Sequence, residues 1–225
     1  MRQEGTQRVI PAATRTRRAA ASGAPATVTL IAVAAAFYLF TSNGSGASVI
    51  DALIQDNRLV AAGEWWRIFT PVLLHANITH ILVNMWALWV LGPQIERSVG
   101  VPAFLALYLA AAGMGGAFAF LIGRGGVGAS GAIFGLFGIW ANHAVRRRNT
   151  LQGRMMLRQI GFLLLLNAAI PIFIPIVSWE AHLGGLIAGY VIGEAWSRMS
   201  SRASTVQRVA AALAVGVVAV VAVIL

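Results

Sequence analysis

The chain has 225 residues, 58% of them hydrophobic and only 11% charged, a balance that a soluble domain of this size could not cover with polar surface. The net charge of +10 comes from arginine alone, and the arginines are spread between apolar stretches instead of gathered on one basic face, which argues against a nucleic-acid partner. With no cysteine, disulfides, thiolate nucleophiles and cysteine-ligated metals are excluded, while serine chemistry stays open.

Apolar stretches recur at residues 20–40, 71–91, 102–122, 130–145, 160–177, 181–196 and 209–225. Most approach the ~20 residues that cross a hydrocarbon core, so the pattern predicts an all-α polytopic membrane protein with seven spans. Arginines precede the first stretch, but its apolar run is too long for a cleaved signal core and further spans follow, so it reads as a retained helix.

The arginines set the expected orientation. With the N-terminus in the cytoplasm, only Arg58, Arg67 and Arg124 fall outside; the cluster Arg146, Arg147, Arg148, Arg154 and Arg158 and the other arginines fall inside. The second, fourth and sixth spans then run in the same direction, from outside to inside.

That parallelism allows a comparison of depth. Ser130 lies sixteen residues before Arg146, His182 sixteen before Arg198, and His80 sixteen before Glu96. Sixteen residues of helix are ~24 Å, so all three groups are expected at one level in the outer part of the membrane core. In the sixth span, His182 stands above Gly185, Gly189 and Gly193 on one face; the fourth span offers Gly131, Gly135 and Gly138 below Ser130. Small residues let helix backbones approach, which a hydroxyl and an imidazole on different helices need if they are to meet. His80 and Asn84, one turn apart on the second span, both carry hydrogen-bond donors.

Each signal has an ordinary explanation. Gly-Ala-Ser-Gly is common packing material, a lone membrane histidine usually satisfies a neighbouring helix, and His80 with Asn84 could be polar glue. The cluster from Arg146 to Arg158 reads as a topology determinant, not an anionic-lipid site. Residues that only pack have no reason to share one depth, and the coincidence favours a reactive site. No carboxylate is spaced to complete a triad: Glu180 is expected on another side of its helix from His182, and Glu194 lies ~18 Å along the axis. The residues therefore suggest a Ser–His dyad, with His182 neutral at rest so that it can accept the serine proton. Donors for the developing oxyanion would come from His80, Asn84 and the backbone N–H of Ser130.

Assembled in this order, the residues resemble the rhomboid family of intramembrane serine proteases from Trp65 to Gly193. Trp66-Arg67 is similar to the Trp-Arg pair of the family's first extracytoplasmic loop. His75, His80 and Asn84 resemble the histidine and His-x-x-x-Asn pattern of its second helix, and Glu96-Arg97 with Gly100 the turn that follows. Gly128-Ala129-Ser130-Gly131 is similar to the nucleophile motif, and Ala181-His182 with Gly184, Gly185 and Gly189 to the helix that supplies the base.

The resemblance implies a six-helix bundle with one additional C-terminal transmembrane helix: a basic cytoplasmic tail at 1–19, the protease core at 20–197, and a cytoplasmic linker with the seventh helix at 198–225. It implies that Ser130 is nucleophile and His182 general base, and that Gly128 lends its backbone to the oxyanion hole beside His80, Asn84 and Ser130. His75 is assigned to shaping or hydrating the cavity, and Arg67, with Trp65 and Trp66, to a loop at the membrane interface. Phe134 stands where many members carry a tyrosine that stacks on the histidine; the ring is kept and the hydroxyl lost. The implied partners are a single-pass transmembrane protein substrate and the lipid bilayer, with no metal or cofactor and no nucleic acid. Heavy use of alanine, glycine and arginine suggests a bacterial inner membrane. The alternatives are a non-proteolytic rhomboid-like binder or chaperone of membrane proteins, and a small transporter using His80 and His182 as a proton relay. The first is disfavoured by the presence of both serine and histidine, the second by the lack of internal repeats.

Overall fold

The computed structural model describes residues 23–44, 46–173, 178–200 and 202–225, with side chains from 167 to 173 left out. The tail expected at 1–19, the expected start of the first span at 20 and the expected end of the fifth at 177 lie outside the described residues. All regular elements among the described residues are helical: α1 (Pro25–Ser42), α2 (Ala47–Leu53), α3 (Asn57–Ala61), α4 (Ile78–Val99), α5 (Val101–Leu121), α6 (Ser130–Arg146), α7 (Leu151–Phe173), α8 (Trp179–Arg198) and α9 (Thr205–Ile224). Four of them, α1, α4, α5 and α9, are long and apolar enough to cross a membrane by length and composition. The other long helices, α6, α7 and α8, coincide with the remaining expected spans but are interrupted by polar residues or, in α6, are only 17 residues long.

Helix α5 is the centre of the bundle, buried along most of its length and touching α4, α6, α8 and α9. Around it the outward faces are apolar. Helix α4 turns Ile81, Leu88, Leu91 and Ile95 inward and exposes Leu82, Val83, Trp86 and Trp89, while α9 exposes Leu213, Val217, Val218 and Val221. A continuous apolar exterior of this kind fits lipid as its solvent. Between α4 and α5 the chain reverses at Gly100, whose φ of 85° lies in the region that favours glycine.

Helix α1 opens on a proline, and its unpaired first-turn donors are met from α4. The N–H groups of Ala26 and Thr27 and the Thr27 hydroxyl donate to the Glu96 carboxylate at 2.7 to 2.9 Å, all buried. A negative charge at a helix N-terminus completes the donors that the helix cannot pair itself. Glu96 thus anchors α1 beside α4, at a point where Gly92 leaves no room for a Cβ against Thr27.

The second expected span needs correction. Residues 71–91 do not form one helix: Thr70–Leu73 is a 3-10 turn, Leu74 to Asn77 is a loop, and α4 starts at Ile78, capped by Asn77, which accepts the His80 N–H. Hydropathy sees Pro71-Val-Leu-Leu as apolar but cannot see that Asn77 offers a cap, so the true helix begins later and extends to Val99. The fifth span is corrected in the opposite sense, because α7 begins at Leu151 and carries Arg154 and Arg158 within it. Arginines excluded from an apolar window are still good helix formers and can reach outward to polar surroundings.

Candidate active site

The first turns of α6 and α8 come together, and His80 in the first turn of α4 reaches the loop that leads into α6. The reason is visible in the glycines between α6 and α8. A Cβ on Gly185 would collide with the Gly131 carbonyl oxygen, one on Gly189 with that of Gly135, and one on Gly138 with the Leu186 carbonyl. Two parallel backbones therefore run in direct contact, in a register that pairs 131 with 185 and 135 with 189. No other residue could sit at these positions without parting the helices.

Ser130 is the first residue of α6, and its neighbour Gly131 lies against the Ala181 carbonyl, next to His182 on α8. Phe134, one turn below Ser130 on the same face, stacks on the His182 ring with centroids 4.2 Å apart and planes 4° from parallel. Ser130 thus lies on the α8-facing side of its helix, one turn above the ring that holds the imidazole. His182 is buried, as is Phe134. The stacking expected of Phe134 is present without the tyrosine hydroxyl.

The second helix reaches the same place through His80. Gly128, with φ of 116°, has its missing Cβ position 2.6 Å from the His80 ring, so only glycine meets both the backbone conformation and the space. The His80 ring also stands edge-on to that of His75. Asn84 is buried below, its side-chain amide donating to the His80 carbonyl at 2.8 Å, which leaves one amide hydrogen uncommitted. The N–H groups of the first turn of α6, Ser130 included, have no intrahelical acceptor and carry the positive end of the helix.

Two expectations are refined. The N–H of Gly128 is already donated to the Pro71 carbonyl at 2.9 Å, so what Gly128 contributes is room for His80 and the shape of the loop rather than a free donor. His75 lies not on the second helix but in the loop before it, its ring 5.2 Å from that of His80, with both ring nitrogens buried and without hydrogen-bond partners among the described residues.

Arg67 departs further from expectation. The indoles of Trp65 and Trp66 are exposed, but the Arg67 side chain turns inward, bonding to Glu64 and to the carbonyls of Asp51 and Ile54. A guanidinium offers five donors in a fixed fork, and the C-terminal end of α2 supplies carbonyl acceptors that would otherwise be unpaired. Arg67 therefore braces the segment from α2 to the 3-10 turn at Trp65–Ile68, and only the tryptophans are placed to meet an interface.

Sequence reasoning missed the glycines of α5 and the residue Gln55. Gly113 and Gly116 give space to Phe69 and Ile68, and Gly115 to the Ala181 carbonyl, so α5 seats both the 65–69 segment and the start of α8. Gln55 donates to the Gly116 carbonyl at 2.9 Å. The run Gly113-Met-Gly-Gly was a visible signal, since three glycines in one turn of an apolar helix mark close approach. Glu180 and Glu194 take no part in orienting His182 through a hydrogen bond: Glu194 is held at the far end of α8 by Asn142, Arg146 and Arg198, and Glu180 bonds with Ser178 and Arg124. Among the described residues no cluster of three or more metal-ligating side chains occurs.

Ser130 at the N-terminus of α6, His182 stacked on Phe134 one turn along from it, and His80 beside Gly128 are the groups that acyl transfer would draw on. Comparison with known proteins points the same way. A family model described as the Rhomboid domain matches residues 62–199. The chain is 36% identical over 163 residues to "Rhomboid protease GluP" of Bacillus subtilis (strain 168), an alignment covering 68% of this chain and 31% of that protein. It is 36% identical over 181 residues to "Putative rhomboid protease YdcA" of the same organism, covering 75% of this chain and 86% of that one. With "Rhomboid-like protease 1" of Toxoplasma gondii it shares 35% identity over 158 residues, half the length of that relative. Since the family match spans more than half of the chain and includes every residue from Trp65 to Gly193 that suggested the likeness, the chain belongs to the rhomboid family of membrane proteins.

Proposed function

We propose that the protein is an intramembrane serine endopeptidase that cleaves single-pass transmembrane proteins near the outer face of the membrane. The observation that carries the reading is the stack of Phe134 on His182 one turn from Ser130, with His80 packed at Gly128 on the other side. Relatives named proteases support the same activity.

In this mechanism the Ser130 hydroxyl attacks the scissile carbonyl carbon while His182 takes its proton. The carbonyl oxygen becomes an oxyanion met by the Ser130 N–H, Asn84 and His80. As the tetrahedral species collapses, the carbon–nitrogen bond breaks and His182 delivers the proton to the leaving amine. Water, activated by the same imidazole, then hydrolyses the acyl-enzyme and returns Ser130 to its hydroxyl form. A transmembrane helix must unwind to present a peptide bond to this site, which favours substrates with small residues at the cleavage point and helix-weakening residues after it. Retention of both serine and histidine speaks against a purely binding or chaperone role.

The orientation follows from charge. Arg58, Arg67 and Arg124, on the site's side of the bundle, each pair with an acid, Asp56, Glu64 and Glu180, whereas the opposite end carries an excess of arginine around one shared Glu194. That asymmetry supports a cytoplasmic N-terminus and an external site in a bacterial inner membrane. The test is cleavage of a tagged single-pass reporter in proteoliposomes by wild type, Ser130→Ala and His182→Ala. Wild type alone should yield product; equal cleavage by all three would remove the proposal.

A further inference from the structure

The loop from 122 to 129, which delivers the chain into Ser130, is attached at three places. Gly125 packs so tightly on the Gln55 carbonyl that a Cβ there would collide with it, the Gly128 N–H is held by Pro71, and Arg124 reaches Glu180. The first two attachments lead to the segment before α4. The third leads to α8, two residues from His182.

Glu180 is an unusual residue to find in the first turn of α8, because it is 1% exposed. A carboxyl group buried there is costly unless both oxygens have partners. One accepts from the Ser178 hydroxyl at 3.0 Å, itself the cap of α8, and the other faces the Arg124 guanidinium at 3.3 Å. The N-terminal end of the helix favours the same negative charge. Arg124 remains half-exposed, so its side chain is held across the gap by the carboxylate and not by packing.

Below Ser130 the glycine contacts already lock α6 to α8. Above it there is no such stripe, and residues 125–129 set both the direction of the Ser130 N–H and the seat of the His80 ring. We infer that Arg124 and Glu180 are positioning residues that fix this loop to the helix bearing His182, and so align the nucleophile and its oxyanion donors with the base. The inference rests on the protease reading above. Neither residue touches the reacting atoms, and loss of the pair should slow chemistry without weakening capture of substrate.

The experiment uses the full chain in proteoliposomes and measures kcat and KM on the tagged reporter together with the rate of Ser130 labelling by a fluorophosphonate, for wild type, Arg124→Ala, Arg124→Lys, Glu180→Gln and the double variant Arg124→Ala/Glu180→Gln. Misalignment by about 1 Å predicts a fall of tenfold or more in kcat and in labelling rate for Arg124→Ala, with KM within about twofold. Arg124→Lys should recover most of the rate, and the double variant should be no slower than Glu180→Gln alone. Wild-type rates in Arg124→Ala, a loss confined to KM, or single losses that multiply in the double variant would overturn the inference. Should Glu180→Gln fail to fold, the two Arg124 variants, altered at a half-exposed side chain, decide the matter. Cleavage by Ser130→Ala in the same assay would instead strike the protease reading itself.

Discussion

Phe134 lies flat on His182, 4.2 Å between ring centroids and 4° between planes, and this contact fixes the imidazole plane relative to the helix that carries Ser130. Phe134→Ala should therefore leave His182 free to rotate and lower kcat by about 10- to 100-fold, through misorientation of the base. Phe134→Tyr, which keeps the ring, should stay close to wild type. Steady-state kinetics on the reporter measure both; a Phe134→Ala enzyme with unchanged kcat would show that the stack does not orient the base.

The α6–α8 register predicts a steric effect far from any reacting group. Gly189→Ala places a methyl group against the Gly135 backbone, which cannot yield as a flexible side chain could. The helices must part, at an expected cost of about 1–3 kcal/mol, and activity should fall with them. Gly161→Ala, where a Cβ meets nothing within 4 Å, is the matched control and should be neutral. Thermal unfolding in detergent separates the two; equal Tm values would contradict the close contact.

The anchoring of α1 depends on both oxygens of Glu96 being acceptors. Glu96→Gln turns one of them into an NH2 group facing buried donors, so about 1–3 kcal/mol of stability should be lost and α1 loosened. Faster limited proteolysis near residues 43–46 is the expected sign. Proteolysis at the wild-type rate would mean that packing alone holds α1.

Outside the bundle, Asp56 caps α3 and its carboxyl is held down to about 2 by the Arg58 side chain and then by the Arg58 N–H. A folded value below the unfolded one means that the cap contributes stability above about pH 4, lost as pH falls through about 2. The contribution is small because the pair is open to solvent. Asp56→Asn should reduce the dependence of unfolding midpoint on pH between 4 and 2; an unaltered slope would assign that dependence to other groups.

The helical class was legible in apolar length, the family in the spaced motifs from Trp65 to Gly193, and the close contact of α6 with α8 in the glycine spacing. His80, Ser130 and His182 each sit in the first turn of their helix. What hydropathy could not show is how polar residues are satisfied. Arg67 reads from sequence as an interfacial cation, yet it turns inward because the end of the short helix α2 leaves carbonyls within reach of its fork. Glu180 reads as a carboxylate on the wrong face, and its partner Arg124 is separated by a whole helical hairpin. Pro71 to Leu74 read as membrane helix because a hydropathy window does not weigh the cap that Asn77 provides.

The most direct measurement of the central claim is the site of modification by a serine-directed fluorophosphonate on the full chain in membranes. One adduct on Ser130, located by mass spectrometry, absent in Ser130→Ala and at least tenfold slower in His182→Ala, is the predicted result. Labelling of His182→Ala at the wild-type rate, or an adduct on any other serine with Ser130 unmodified, would contradict it.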